Sequence, residues 1–180
     1  HTLGADDAAF VLRVFSDFEC PYCAMFEENG MPIVQELLTR GDFRFEFHHF
    51  PLRSHPNAAF VAEASECIAS LAGAEYFWAF HDLVFAEQNA WAGTTEPLPI
   101  MLDYAAQVGA DHPALQACIV NGDEAEEVSA AFNHAVNDIR VTGTPTLYIN
   151  GVKLSDYSSI AAFERAMRIA ELIDQSPGAP

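Results

Sequence analysis

The sequence predicts an α/β fold in the order β-α-β, a long all-helical block, then β-β-α, over 180 residues. Three observations carry that prediction. A strand–helix–strand pattern runs from Phe10 to Phe50, and a stretch of about 85 residues with helical periodicity and no strand follows it. An Asn-Gly turn between two short apolar runs then leads into a last amphipathic helix.

The first strand is "FVLRVFSDF" (Phe10 to Phe18), rich in the β-branched and aromatic side chains that suit a buried sheet. From Pro21 to about Arg40, the residues Met25, Phe26, Ile33, Val34, Leu37 and Leu38 recur near a helical period. Gly30, with Pro32 two residues on, predicts a kink or break partway, and Gly41 a stop. "FRFEFHHF" (Phe43 to Phe50) alternates large apolar and polar side chains and reads as a second strand. Strand, helix and strand in succession make a parallel pair with a right-handed crossover.

The strandless block holds five candidate helices: Asn57 to Leu71, Ala74 to Glu87, Pro99 to Val108, Pro113 to Val120 and Glu124 to Arg140. Asp123 is the expected N-cap of the last. "TPTLYINGVKL" then supplies a strand, the Asn150-Gly151 turn and another strand. Ser158 or Ser159 caps the final helix, whose apolar side is Ile160, Phe163, Met167 and Ile169 to Ile173. The tail "QSPGAP" is expected to fray.

Half of the residues are hydrophobic and 12% aromatic, the composition of an ordinary globular protein. The longest apolar runs fall short of the roughly 20 residues that span a bilayer. No signal peptide is visible, and the chain starts at His1 rather than Met, so any native signal or anchor is absent from it. Twenty-six acids against 8 bases give a formal charge of −18, and Lys153 is the sole lysine. That balance argues against nucleic acid and anionic membranes as partners, since phosphates reward clustered Lys and Arg. It reads as a solubility adaptation to a salty or exported setting.

The chemistry centres on "FSDFECPYCAMFEENG", where an apolar strand stops at two cysteines three residues apart and a helix follows. Cys20 stands at the helix start, where unsatisfied backbone N–H groups and the positive end of the dipole favour a thiolate. Cys23 falls on the same helical face, in reach of a disulfide with Cys20. Pro21 suits the first turn because its missing N–H had no partner there. The pattern gives one reactive sulfur and a second that resolves a mixed disulfide. The alternative is half of a structural zinc site, with His48, His49 or His55 as further ligands, but no second CxxC exists and no spacing selects those histidines. Cys67 and Cys118 each lie in an apolar helical pattern and read, on their own, as two buried thiols. Trp78 and His81, one turn apart among aromatics, read as core, as do His48 and His49. Glu27, Glu28, Glu124, Glu126 and Glu127 read as solvated helix faces, and Phe18, Tyr22 and Phe26 as packing or as an apolar rim around the cysteines.

From about Phe10 to Leu172 the chain resembles the DsbA-like branch of the thioredoxin superfamily. The resemblance rests on "FSDFECPYC", "HHFPLRSHPNA", "EC" at Cys67, "FWAFHDLVF", "LQACI" around Cys118 and "GTPTLYING", in that order. It implies a thioredoxin fold with an all-helical insertion: 1–55 and 141–180 as a discontinuous thioredoxin-like domain, 56–140 as the insertion. It implies an extracytoplasmic protein disulfide oxidoreductase, without metal or organic cofactor, that forms disulfides in exported thiol-containing substrates and is recycled by a redox partner protein. Cys20 would attack and Cys23 resolve, Pro21 and Tyr22 would tune the pair, and Thr144 with a cis Pro145 would bind substrate beside it. A structural disulfide between Cys67 and Cys118 follows from the same resemblance. Pro21-Tyr22 lacks the histidine of strongly oxidising members and recurs in glutaredoxins and isomerase-type relatives. A disulfide reductase or isomerase therefore stands as the alternative, and a non-catalytic metal-binding module as a more remote one. Many relatives carry a buried acid in the first strand; here Arg13 and Val14 occupy that neighbourhood, which leaves the role unfilled or to Asp17 or Glu19.

Overall fold

The structure, a computed structural model, describes residues 1–175; the expected fraying of the tail falls on 176–180, outside the described residues. The chain divides into two compact units. One holds His1–Phe15, Met25–His48 and the chain from Pro145 onward; the other holds Ser16–Ala24 and His49–Thr144.

The first unit is built on a five-stranded sheet in the order β1-β3-β2-β4-β5, with β1 Thr2–Gly4, β2 Phe10–Ser16, β3 Phe43–His49, β4 Thr146–Ile149 and β5 Val152–Leu154. Strand β2 is flanked on both sides and is correspondingly buried at five of its seven positions. Its antiparallel register with β4 runs from Leu12 opposite Ile149 to Phe15 opposite Thr146. Against β3 the contacts advance together, Arg13 to Glu46 and Phe15 to His48, which is the signature of a parallel pair. Phe43, Phe45 and Phe47 alternate inward along β3 with the strand period of two.

Helices α1 (Pro21–Asn29) and α2 (Met31–Leu38) are separate, broken at Gly30 as Gly30 and Pro32 predict. Helix α9 (Ile160–Asp174) packs against β4 and β5 through Phe163, Ala166, Met167 and Ala170. At the β4–β5 hairpin Asn150 and Gly151 both take positive φ, 45° and 83°, the pairing a type I′ turn requires. The Asn150 side chain also accepts from the Val11 N–H and donates to the Ala9 carbonyl, each at 2.8 Å, so one residue both turns the hairpin and fixes it to the start of β2.

The second unit is helical: α3 (Ala58–Ala72) packs against α4 (Ala74–Ala86), α6 (Pro97–Gln107), α7 (Leu115–Asn121) and α8 (Ala125–His134). Phe77, Phe80, Val84, Trp91 and Met101 are wholly buried in it. Cys67 of α3 and Cys118 of α7 are joined by a disulfide, with Cα atoms 6.0 Å apart. No helix of the described residues is long and apolar enough to cross a membrane.

Several boundaries differ from expectation for local reasons. The first strand ends at Ser16 rather than Phe18, because Asp17 starts a turn: its carbonyl accepts the Cys20 N–H and its carboxylate the Glu19 N–H. Asp123 does not cap α8. Its N–H donates back to the Cys118 carbonyl, closing the end of α7 around left-handed Gly122, and no side chain caps α8. Ser159 precedes α9 without a side-chain cap bond. Strand β1, the short α5 (Gln88–Trp91) and a π-helical turn (Ala135–Ile139) carry too few residues for periodicity to reveal them.

Candidate active site

Cys20 is the last residue before α1, and its carbonyl accepts the N–H groups of Cys23 at 3.0 Å and Ala24 at 3.2 Å. The i+3 spacing therefore places both thiols at the start of one helix, and both are free and buried. Pro21 and Tyr22 between them are exposed, Tyr22 at 63%.

The two thiols differ in acidity. Cys20 is lowered from an ordinary 9.0 to about 5, chiefly by the hydrogen bond from the Cys23 thiol. Burial opposes this, while the Thr144 side chain and the backbone N–H groups of Cys23 and Tyr22 add to it. The helix start thus contributes, but the neighbouring thiol contributes most. Cys23 is pushed well up by burial, by its bond to Cys20 and by the Cys20 charge; the Ser16 hydroxyl and the Asp17 N–H work the other way. The two shifts are opposed, so Cys20 gives up its proton well before Cys23 does.

The surrounding segment is tied down by side chains. The Asp17 N–H donates to Cys23 Sγ at 3.5 Å. The Asp17 carboxylate accepts from the N–H groups of Glu19 and Leu52 and pairs with His55 Nδ1, each at 2.8 Å. The Glu19 carboxylate accepts the Asn57 N–H at 2.6 Å and the Gly93 N–H at 2.7 Å. Gln88 Nε2 donates to the carbonyls of Phe18 at 2.7 Å and Cys20 at 3.0 Å. Both acids that sequence offered near the cysteines are therefore buried and answered by backbone donors.

The structure brings Thr144 to the cysteines, with its carbonyl 3.7 Å from Cys20 Sγ. Pro145 follows it, half-buried, just before β4. The three histidines weighed as metal ligands go to three different carboxylates: His48 to Glu46, His49 to Glu66 and His55 to Asp17. His81 is fully buried among the rings of Phe18, Phe77, Trp78 and Phe85, and burial lowers its pKa. Phe18 and Phe26 are buried too, which leaves Tyr22 at the surface. Sequence reasoning missed Gln88, Asn57 and the His55–Asp17 pair.

Buried strand, dithiol helix start and Thr-Pro hairpin together define a thioredoxin-type protein, and a thioredoxin family model matches residues 1–168. The chain belongs to the thioredoxin family. Among solved structures, oxidised BdbD from Bacillus subtilis shares the fold, superposing with a TM-score of 0.81 at 22% identity, over 94% of this chain and 91% of that one. Among curated relatives, a protein named Na(+)/H(+) antiporter NhaA 1 of Salinispora arenicola is 34% identical over 175 residues, 94% of this chain and 24% of that protein. The chain thus spans about a quarter of that relative's length. A probable disulfide bond formation protein D of Bacillus cereus is 27% identical, over 83% of this chain and 69% of that protein.

Proposed function

We propose that this chain is a DsbA-like thiol-disulfide oxidoreductase that works outside the cytoplasm and forms disulfides in exported proteins. The observation that carries the reading is the opposed acidity of Cys20 and Cys23 on one helical turn. An oxidised Cys20–Cys23 bond is attacked at Cys20 by a substrate thiolate, and Cys23 leaves. A second substrate thiol resolves the mixed disulfide, and a redox partner reoxidises the pair. A thiolate stabilised in the reduced form makes the dithiol the favoured state, which drives electrons from substrate to enzyme. The Thr144 and Pro145 segment binds the extended substrate, its position beside Cys20 supporting that role. Pro21 and Tyr22 tune the pair, and the Cys67–Cys118 bond is structural. The working division of the chain is 1–55 with 141–180 as the thioredoxin-like domain and 56–140 as the helical insertion.

Refolding of reduced ribonuclease tests the reading. Cys20→Ser is expected to abolish turnover and Cys23→Ser to accumulate mixed disulfides. Full activity of Cys20→Ser would overturn it. The reduction potential of the pair against glutathione fixes the direction, an oxidase lying well above the glutathione couple.

A further inference from the structure

We infer that His55 is a positioning residue for Cys23: through the Asp17 carboxylate it holds the backbone N–H that stabilises negative charge on the Cys23 sulfur during disulfide exchange. The inference rests on the exchange reading above and assigns a part to residues outside the cysteine pair.

Cys23 Sγ is wholly buried, and the two exchange steps that make or break the Cys20–Cys23 bond pass through its anion. It leaves as a thiolate when a substrate opens the disulfide, and it attacks as a thiolate when a mixed disulfide is resolved. In resolution the Cys20–Cys23 bond forms as the bond from Cys20 to the substrate sulfur breaks. The electron pair leaves on the substrate sulfur, and the proton given up by Cys23 ends on it. Burial opposes this anion, so a fixed donor at the sulfur has disproportionate weight. The donor in place is the Asp17 N–H, at 3.5 Å.

The Asp17 peptide is held from three sides. Its carbonyl accepts the Cys20 N–H, and its carboxylate takes the Glu19 and Leu52 N–H groups and His55. The carboxylate is wholly buried, whereas the His55 ring is 23% exposed. Of the three partners of the carboxylate, His55 is the one side chain. Without the ring N–H the buried carboxylate loses one of its three donors, and the turn that presents the Asp17 N–H to Cys23 Sγ is held less firmly. The device is a carboxylate–histidine couple that acts on the resolving sulfur while leaving Cys20 to its own donors, Cys23, Thr144 and the start of α1.

Oxidised glutathione separates the two sulfurs. Its attack by Cys20 is bimolecular, and release of the second glutathione by Cys23 is intramolecular; acid quenching and mass spectrometry follow both. His55→Ala is expected to slow the intramolecular step about tenfold, the weight of one hydrogen bond to a charged group, with the first step unchanged. His55→Asn, whose amide N–H replaces Nδ1–H, is expected to recover most of the rate. An unchanged second step overturns the inference. So does an equal loss in both steps that Asn does not rescue, since that marks a merely structural role. Wild-type protein that does not react with glutathione at all overturns the exchange reading instead.

Discussion

The side-chain amide of Gln88 donates to the carbonyl of Cys20, 68 residues away, and to that of Phe18. Gln88 is 7% exposed and lies on the four-residue α5, so this short helix anchors the loop that ends in Cys20. Replacing it with Leu keeps the volume but leaves the Phe18 carbonyl buried without its donor. The expected cost is about 1–3 kcal/mol, read as a lower denaturation midpoint in urea. An unchanged midpoint would show that water takes over both bonds.

Reduction of the pair links stability to pH. Folded Cys20 titrates near 5 and the unfolded thiol near 9.0, so between these values the folded chain carries a thiolate where the unfolded chain carries a thiol. The lowered value stabilises the reduced protein fully above the unfolded value, and the contribution is lost as pH falls through about 5. Cys23 has the opposite sign: its raised value leaves its contribution intact below the unfolded value and removes it at higher pH. From about pH 4 to about pH 8, the stability of reduced wild type over Cys20→Ser should therefore rise, by at most about 1.4 kcal/mol per unit. Chemical denaturation at each pH measures the difference. A flat difference means that Cys20 is an ordinary thiol.

The Cys67–Cys118 bond closes a loop spanning 51 positions between α3 and α7. Chain-entropy arguments give such a loop about 4 kcal/mol of stabilisation. The double variant Cys67→Ala/Cys118→Ala should lose an amount of that order in guanidinium titrations. Neither residue is among the groups that shift Cys20, so the thiolate absorbance titration of Cys20 should not move. A shift there would show that the bond also shapes the dithiol site.

What sequence made legible was what local chemistry decides. The Cys20–Cys23 spacing, the Gly30 break and the Asn150-Gly151 hairpin are each fixed by a few adjacent residues, and each is found where the chain predicts it. Gln88 and Asn57, and the pairing of His55 with Asp17, were invisible because these bonds span sequence separations of 68, 38 and 38. Nothing in their own neighbourhoods marks them. The same limit explains the misplaced strand end, since "SDF" continues the apolar pattern while Asp17 has its hydrogen bonds elsewhere. The helix-start argument for the thiolate named the backbone donors, which do contribute, and left out the Cys23 thiol. The hydrogen bond from the Cys23 thiol outweighs those from the backbone donors.

Gly30 offers a test of how tightly the first unit is filled. Its φ of −92° is open to any residue, so the backbone does not demand glycine. Space does: a Cβ there would lie 2.5 and 2.6 Å from two Phe26 ring carbons. The ring cannot swing clear, being fully buried and edge-on to Tyr157 with centroids 5.3 Å apart. Gly30→Ala is therefore expected to destabilise by about 1–3 kcal/mol, as overpacking does, despite the better helix propensity of Ala. Phe26→Leu alone opens a cavity and is costly too. In the double variant the new methyl enters the space the ring has left, so the two losses should sum to more than the measured one. A double-mutant cycle in urea reads that coupling directly. Strict additivity would mean that α1 and α2 separate slightly to admit the methyl, and that the break at Gly30 is set by Pro32 alone.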